Sequence, residues 1–179
     1  MEALTAFDPG TEVVGQAMLA LVECIRSDYI LPILARHGLS NIDREAWYPH
    51  QEWLDVFKDI ASDPSAATPT LVAAGMKFAE TAIFPPEIST LEDALIAIND
   101  GYQLNHRNGY AGEYAVVIMG PGHIQVIDHT PYPDDFTYGL IYALAHRFSP
   151  EEAYPIVRHD PDSPCRKQGA DTCTYDIQW

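Results

Sequence analysis

The sequence is poor in cysteine, in basic residues and in long apolar runs, and each scarcity excludes a class of protein. Its 179 residues include only 3 cysteines, an odd number that does not suggest a disulfide framework. The longest apolar runs, such as residues 17–22 and 140–145, are interrupted by polar residues well before the length of a membrane span. The first eight residues lack the basic start and apolar core of a signal peptide. We therefore expect a cytoplasmic protein that does not enter membranes.

The shortage of basic residues limits the partners further. The chain has 10 lysines and arginines against 26 aspartates and glutamates, a formal net charge of −16. A nucleic-acid-binding protein needs a clustered basic face, and the few cations here are scattered along the sequence. Anionic lipid surfaces would repel the chain for the same reason. Small molecules and other proteins remain as partners.

The periodicity of the apolar residues predicts helices first and strands later. We expect helices over residues 12–37, 49–60, 68–84 and 89–106. The first carries a stripe of Val14, Met18, Leu21 and Ile25. A capping box from Ser89 begins the fourth, whose inner face would be formed by Leu91, Leu95, Ile98 and Leu104.

The second half has a different pattern. Strand-like runs at 113–119 and 123–128 are joined by Gly-Pro-Gly, a hairpin signal. A helix over 134–148 and two strands over 153–158 and 172–179 follow. The order predicts a single α+β domain over residues 1–179, in which a helical part (about 11–107) packs on a small antiparallel sheet (about 112–179).

The chain ends in a cysteine pair. Cys165 and Cys173 are eight positions apart around Gly169, with Asp162 three residues upstream and a strand directly after. Such a pair is compatible with a metal site, with a disulfide or with two free thiols. The spacing does not choose among these.

This order of elements, the segment Gly-Leu-Ile-Tyr-Ala-Leu-Ala-His-Arg-Phe at 139–148 and the cysteine ending resemble the 4-vinyl-reductase-like small-molecule-binding domain. The resemblance covers residues 112–179 best. Its superfamily also contains the haem nitric oxide/oxygen-binding domains. The resemblance implies a sensory domain that holds a ligand between helices and sheet, forms a homodimer and acts on a separate signalling output protein. Catalysis is not part of this expectation.

The resemblance also implies a zinc site. Relatives hold zinc with an acidic residue, two cysteines eight apart and a third cysteine upstream. Asp162, Cys165 and Cys173 match, whereas Cys24 lies too early in the chain to be the third cysteine. His159 is a candidate substitute, because imidazole is a common zinc ligand.

Haem is a second possibility that the resemblance raises. In the haem-binding relatives, a histidine late in a helix of the N-terminal half ligates iron, and His106 is in a comparable place. Their Tyr-x-Ser-x-Arg signature for the haem propionates is not found in residues 128–134. The alternative role for His106 is a favourable interaction with the C-terminal end of a helix dipole. A haem-based gas sensor is thus the alternative to a sensor of iron-free ligands.

Aromatic residues are plentiful, with 10 tyrosines, 6 phenylalanines and 3 tryptophans. We expect a set of them to line a pocket for a small apolar or aromatic molecule, although ordinary core packing explains the same spacing. This set comprises Trp53, Phe57, Phe78, Phe84, Tyr114, Tyr138 and Tyr142. The sequence contains no Gly-x-Ser-x-Gly, His-Glu-x-x-His or phosphate-binding glycine loop. An enzyme or carrier of tetrapyrroles is the remaining alternative.

Overall fold

A computed structural model describes residues 4–22 and 27–179 of the chain. Within these ranges the helices are α1 Gly15–Val22, α2 Ser27–Arg36, α3 His50–Ala61, α4 Ala67–Thr81, α5 Leu91–Ile96, α6 Ile98–Leu104 and α7 Asp134–Phe148. The strands are β1 Glu12–Val14, β2 Trp47–Pro49, β3 His106–Arg107, β4 Glu113–Gly120, β5 His123–His129, β6 Ile156–His159 and β7 Cys173–Gln178. The predicted α+β fold, with helices on an antiparallel sheet, is confirmed.

The larger sheet has the order β4-β5-β7-β6, and all neighbours are antiparallel. Alternation of side chains fixes which face is buried. In β5, Ile124 and Val126 are fully buried, and their cross-strand partners Ile177 and Tyr175 are buried on the same face. Helix α7 lies against β6 and β7, and its apolar residues complete the core with this face.

Helices α4 and α7 approach each other closely because each carries a glycine at their contact. A Cβ atom at Gly75 would meet the backbone carbonyl of Phe136, and one at Gly139 would meet that of Val72. The two glycines thus let the helix backbones touch.

The beginning of the chain differs from the prediction. Instead of one helix over 12–37, β1 includes Val14 and forms a small sheet with the order β2-β1-β3. Met18 and Leu21 are buried on α1, as the stripe requires. Ile25 of that stripe and Cys24 lie outside the described residues.

The fourth predicted helix also needs correction. It is divided into α5 and α6, and its capping box is formed by Thr90 and Asp93 rather than by Ser89 and Glu92. The hydroxyl of Thr90 accepts a hydrogen bond from the backbone amide of Asp93 at 3.1 Å. Leu104 is 80% exposed instead of buried, because the helix ends there.

Across the described parts of the chain, no helix combines the length and the hydropathy that crossing a membrane requires.

Candidate ligand cavity

A cavity of about 470 Å³ lies among the helices, with Tyr114 of the four-stranded sheet on one side. This volume falls within the usual range for ligand sites, roughly 300–1,000 Å³. Helices α1, α3, α4, α6 and α7 supply most of the wall, and β4 supplies Tyr114. Its aromatic lining comprises Trp53, Phe57, Phe78, Phe84, Tyr102, Tyr114, Tyr132 and Phe136.

The mouth of the cavity is open to solvent and only sparsely charged. Ile83 and Leu104 line it although they are 89% and 80% exposed. The charged lining residues are Arg44 and Asp100, both of which are exposed. The interior offers apolar surface, whereas both fixed charges lie at the entrance.

The structure brings five of the seven expected aromatic residues to this wall and places two elsewhere. Tyr138 and Tyr142 do not line the cavity. On α7 the cavity is lined by Phe136, Leu140 and Leu144, which follow one another at intervals of four residues. A residue two positions away on a helix points to the opposite side. Tyr138 and Tyr142 instead stack on each other, with ring centroids 6.2 Å apart.

His106, a residue type that can ligate metals, lines the cavity. It lies at the first position of β3, just beyond the end of α6, and not within a helix as predicted. Its Nδ1 is 2.8 Å from the backbone carbonyl oxygen of Tyr102, one helical turn earlier. A carbonyl only accepts hydrogen bonds, so Nδ1 carries the proton. Nε2 is therefore unprotonated, and its lone pair accepts a hydrogen bond from the hydroxyl of Tyr132 at 3.1 Å.

A second histidine lies behind His106. The ring of His50, the first residue of α3, is fully buried and 4.8 Å from that of His106. Desolvation, together with the neighbouring His106, lowers the pKa of His50 to about 3. Desolvation likewise lowers the pKa of His106 to about 4. Both imidazoles are therefore neutral at pH 7, the form that binds metals.

Three buried tyrosines lie beside His106: Tyr102 and Tyr132 contact its ring, and Tyr114 packs on Tyr102. The Tyr102 hydroxyl donates to the carbonyl of Ala111 at 2.6 Å, and its ring meets those of Tyr114 and Tyr132 edge-on. Burial raises the pKa of all three hydroxyls above the usual value. They thus remain protonated donors at any physiological pH.

Behind Tyr114, a buried ion pair connects the sheet to the cysteine loop. Arg166 pairs with the fully buried Asp128 at 2.6 Å and also donates to the backbone carbonyl of Thr130. Desolvation raises the pKa of Asp128, and the guanidinium of Arg166 opposes this rise. Because Arg166 directly follows Cys165, the position of the cysteine loop determines whether Arg166 reaches Asp128 and neutralises its buried charge.

Cys165 and Cys173 form a disulfide, one of the three states that their spacing allowed. Asp134 is the carboxylate that lies next to both sulfurs, with its nearest ligand atom within 4.8 Å of them. His159 donates to this carboxylate at 2.6 Å. Asp162, the acidic residue expected here, is exposed and turns back on Asp160. The four expected zinc ligands are thus not assembled, because the loop that carries Asp162 points toward solvent.

Several lining residues were missed at the sequence level. Tyr102, Tyr132 and Phe136 are among them; Tyr102 and Phe136 lie within the helices predicted over 89–106 and 134–148, whereas Tyr132 lies outside every predicted element. Counted from Tyr132, the sequence Tyr-Pro-Asp-Asp-Phe has an aspartate and a phenylalanine where the Tyr-x-Ser-x-Arg signature has serine and arginine. The aromatic ring of Phe136 packs on Tyr132 with centroids 5.5 Å apart.

Comparison with known proteins identifies the fold. No family model matches the sequence, and no curated protein matches it. Solved structures of H-NOX proteins are similar over 92% of this chain. One from Shewanella oneidensis, in the Fe(II)NO ligation state, has a TM-score of 0.69 at 15% identity, over 98% of its chain.

Two further H-NOX structures agree. One from K. algicida, in an unliganded Fe(II) form, gives a TM-score of 0.68 at 10% identity over 95% of that chain. One from Shewanella woodyi, in the Fe(II)CO state, gives 0.61 at 18% identity over 93% of that chain. At such low identities the similarity establishes a shared H-NOX-like fold.

Proposed function

We propose that this chain is a haem-based gas-sensing domain whose cavity would hold haem, with His106 as the residue that would bind its iron. The observation that carries the proposal is the state of His106: a neutral, tautomerically fixed imidazole in the wall of an apolar cavity. The H-NOX structures of the same fold contain iron in stated ligation states, which supports the choice of haem over an iron-free ligand.

The residues fit the iron end of a haem. A metal-ligating histidine usually donates its second ring nitrogen to a carbonyl or a carboxylate, which fixes the ring and raises its basicity. The Nδ1 bond of His106 to Tyr102 provides this anchor. Around it, the apolar side chains of Phe78, Leu140 and Leu144 offer the dry surface that a porphyrin face requires.

The carboxylate end of a haem has fewer partners. Arg44, at the mouth, is the permanently charged cation of the lining within the described residues. Phe136 replaces the arginine of the propionate signature, and Asp134 beside it is held by His159 and Tyr175. Among the described lining residues, Arg44 would therefore be the cation to pair with a haem carboxylate.

When bound, haem would supply an iron centre at which a small gas such as nitric oxide could be recognised. The chain itself contributes the remaining steps. His106 orients the group, the three buried tyrosines keep its backbone anchor rigid, and the aromatic walls exclude water. A ligand biases such a domain only through its differential affinity for two states. Because Nδ1 of His106 is hydrogen-bonded to the carbonyl of Tyr102 in α6, a displacement of His106 would be transmitted to α6.

Reconstitution tests the proposal. Purified protein is titrated with haem, and a Soret band that shifts when carbon monoxide is added to the reduced form is the expected result. His106→Ala should abolish the histidine-bound spectrum, whereas His146→Ala, which removes an exposed histidine of α7, should leave it unchanged. Equal spectra for wild type and His106→Ala, or no uptake of haem, would contradict the proposal.

An iron-free apolar or aromatic molecule is the second candidate. Phe136 favours it, because a phenyl ring in place of a propionate-binding cation enlarges the apolar surface. Binding of an uncharged fluorescent hydrophobic probe, unaffected by His106→Ala and lost on narrowing the cavity with Ala79→Phe, would support this candidate.

The remaining expectations concern the cysteines and the assembly. Zinc at Cys165 and Cys173 requires prior reduction of their disulfide, and Asp134 with His159 would then be the nearer companions. Protection of the reduced thiols from alkylation by added zinc, reversed by a chelator, would support such a site. A homodimer and a separate signalling output protein stay predictions, to be checked by native mass spectrometry.

A further inference from the structure

His50 is buried without any hydrogen bond. Its exposure is 0%, and neither ring nitrogen has a partner among the described residues. A neutral imidazole has one donor and one acceptor, and burying them unpaired costs free energy. A leucine or phenylalanine at this position would avoid the cost. An unpaired histidine in a packed interior therefore calls for a state in which it gains a partner.

The neighbours of His50 indicate which partner this is. Its ring centroid lies 5.3 Å from that of Tyr132 and 4.8 Å from that of His106. The Tyr132 hydroxyl is occupied by Nε2 of His106 at 3.1 Å. This is the same nitrogen that a metal would bind, because Nδ1 is held by the Tyr102 carbonyl. Ligation at Nε2 and the hydrogen bond from Tyr132 exclude each other.

We propose that His50 is the alternative acceptor for the Tyr132 hydroxyl, used when a ligand takes Nε2 of His106. The proposal rests on the proposed function. In the ligand-free state Tyr132 caps His106 and His50 is unpaired. In the ligand-bound state the Tyr132 hydroxyl moves to donate to the unprotonated nitrogen of His50, so that Tyr132 keeps a hydrogen bond and His50 gains one of its two. His50 is thus a positioning residue. Its hydrogen bond to Tyr132 offsets the free energy that is lost when Tyr132 releases Nε2 of His106.

A double-mutant cycle on His50 and Tyr132 tests this assignment. Haem affinity is measured by absorbance titration for wild type, His50→Leu, Tyr132→Phe and the double variant. His50→Leu should weaken binding roughly 10- to 100-fold, the usual effect of losing a partner one step removed from a metal ligand. Tyr132→Phe should not weaken it, and adding His50→Leu to Tyr132→Phe should have no further effect. His50→Gln, which restores an acceptor, should recover part of the loss.

Stability of the haem-free protein separates positioning from a purely structural role. Because His50 is unpaired in that state, His50→Leu should leave its midpoint of thermal unfolding unchanged or raise it, while haem affinity falls. A structural role predicts that both decline. The ¹⁵N shifts of His50 should also change when zinc protoporphyrin, a diamagnetic analogue, is bound.

The outcomes distinguish the two proposals. If haem does not bind, or binds without His106, the proposed function fails and this inference fails with it. If haem binds through His106 but the effects of His50→Leu and Tyr132→Phe simply add, the inference is overturned and the proposed function stands.

Discussion

Replacing Gly75 or Gly139 by alanine should force α4 and α7 apart. A Cβ atom at Gly75 would overlap the carbonyl oxygen of Phe136, and one at Gly139 would overlap that of Val72. Both obstacles are backbone atoms within helices, so neither can rotate aside as a side chain would. The helices themselves must separate, or one must bend.

The magnitude follows from two opposing effects. Alanine is favoured over glycine inside a helix by about 0.5–1 kcal/mol. Overpacking of a core costs typically about 1–3 kcal/mol, and a rigid backbone obstacle places these sites at the upper end. We therefore expect a net loss of about 2 kcal/mol for each variant. For a chain of this size, that loss lowers the midpoint of thermal unfolding by roughly 4–8 °C.

Gly101→Ala is the matched control. Gly101 lies in α6, and a Cβ atom there would have nothing within 4 Å. The substitution should stabilise the protein by up to about 1 kcal/mol through helix propensity alone. Urea denaturation and thermal unfolding of the three single variants provide the comparison. If Gly75→Ala and Gly139→Ala are as stable as Gly101→Ala, the contact between the helix backbones does not exist and the reasoning is refuted.

Three further predictions concern charge. Burial lowers the pKa of His50 from 6.5 to about 3. Below pH 6.5 this histidine is therefore protonated in the unfolded chain but stays neutral in the folded chain. The free energy of unfolding should keep its full value above pH 6.5 and fall by about 3 kcal/mol from pH 7 to pH 4. Urea denaturation across this range should show a shallower fall for His50→Leu, and an identical slope would contradict the argument. Arg166→Met leaves Asp128 as an uncompensated buried charge and should cost about 3–5 kcal/mol at pH 7. This cost should shrink at pH 5, because the pKa of Asp128 is already raised and rises further without Arg166; a loss independent of pH would indicate lost packing alone. The affinity for haem, measured by absorbance titration, should increase from 20 to 500 mM salt, because salt screens the repulsion between the haem carboxylates and the acidic chain. A decrease over this range would indicate that ion pairs with the carboxylates dominate binding, which would contradict the argument.

The parts of the fold that depend on local signals could be predicted. The hairpin of β4 and β5 is marked by alternating apolar residues and a glycine turn, and α7 by a regular stripe. The small β2-β1-β3 sheet could not be predicted, because its pairs join Glu12 to Pro49 and to Arg107. Strands of two or three residues have no period of their own, and only the tertiary fold brings them together.

The site was harder to predict for a related reason. Helix α7 is covered by α4 on one side and by the sheet on another, so apolar residues surround it and its stripe does not say which face meets the cavity. The sequence therefore could not show which of Phe136 and Tyr138 faces the cavity. Asp134 and Cys165 come together only through the crossing of α7 over the sheet, whereas Asp162 was chosen because it is close in sequence.

The distribution of charge determines what kind of binding the cavity can support. A chain with a net charge of −16 repels a ligand that carries two carboxylates, and Arg44 is the permanently charged cation that the lining offers against this repulsion in the described part of the chain. Screening weakens such repulsion beyond a Debye length, about 10 Å at 0.1 M salt. If the proposed function holds, affinity for haem should therefore come from the bond between its iron and His106 and from buried apolar surface, neither of which is weakened by screening. In a domain that bound haem mainly through arginine–propionate pairs, added salt would have the opposite effect. The sign of the salt dependence thus reports whether this cavity holds its ligand by the metal and the walls or by charge.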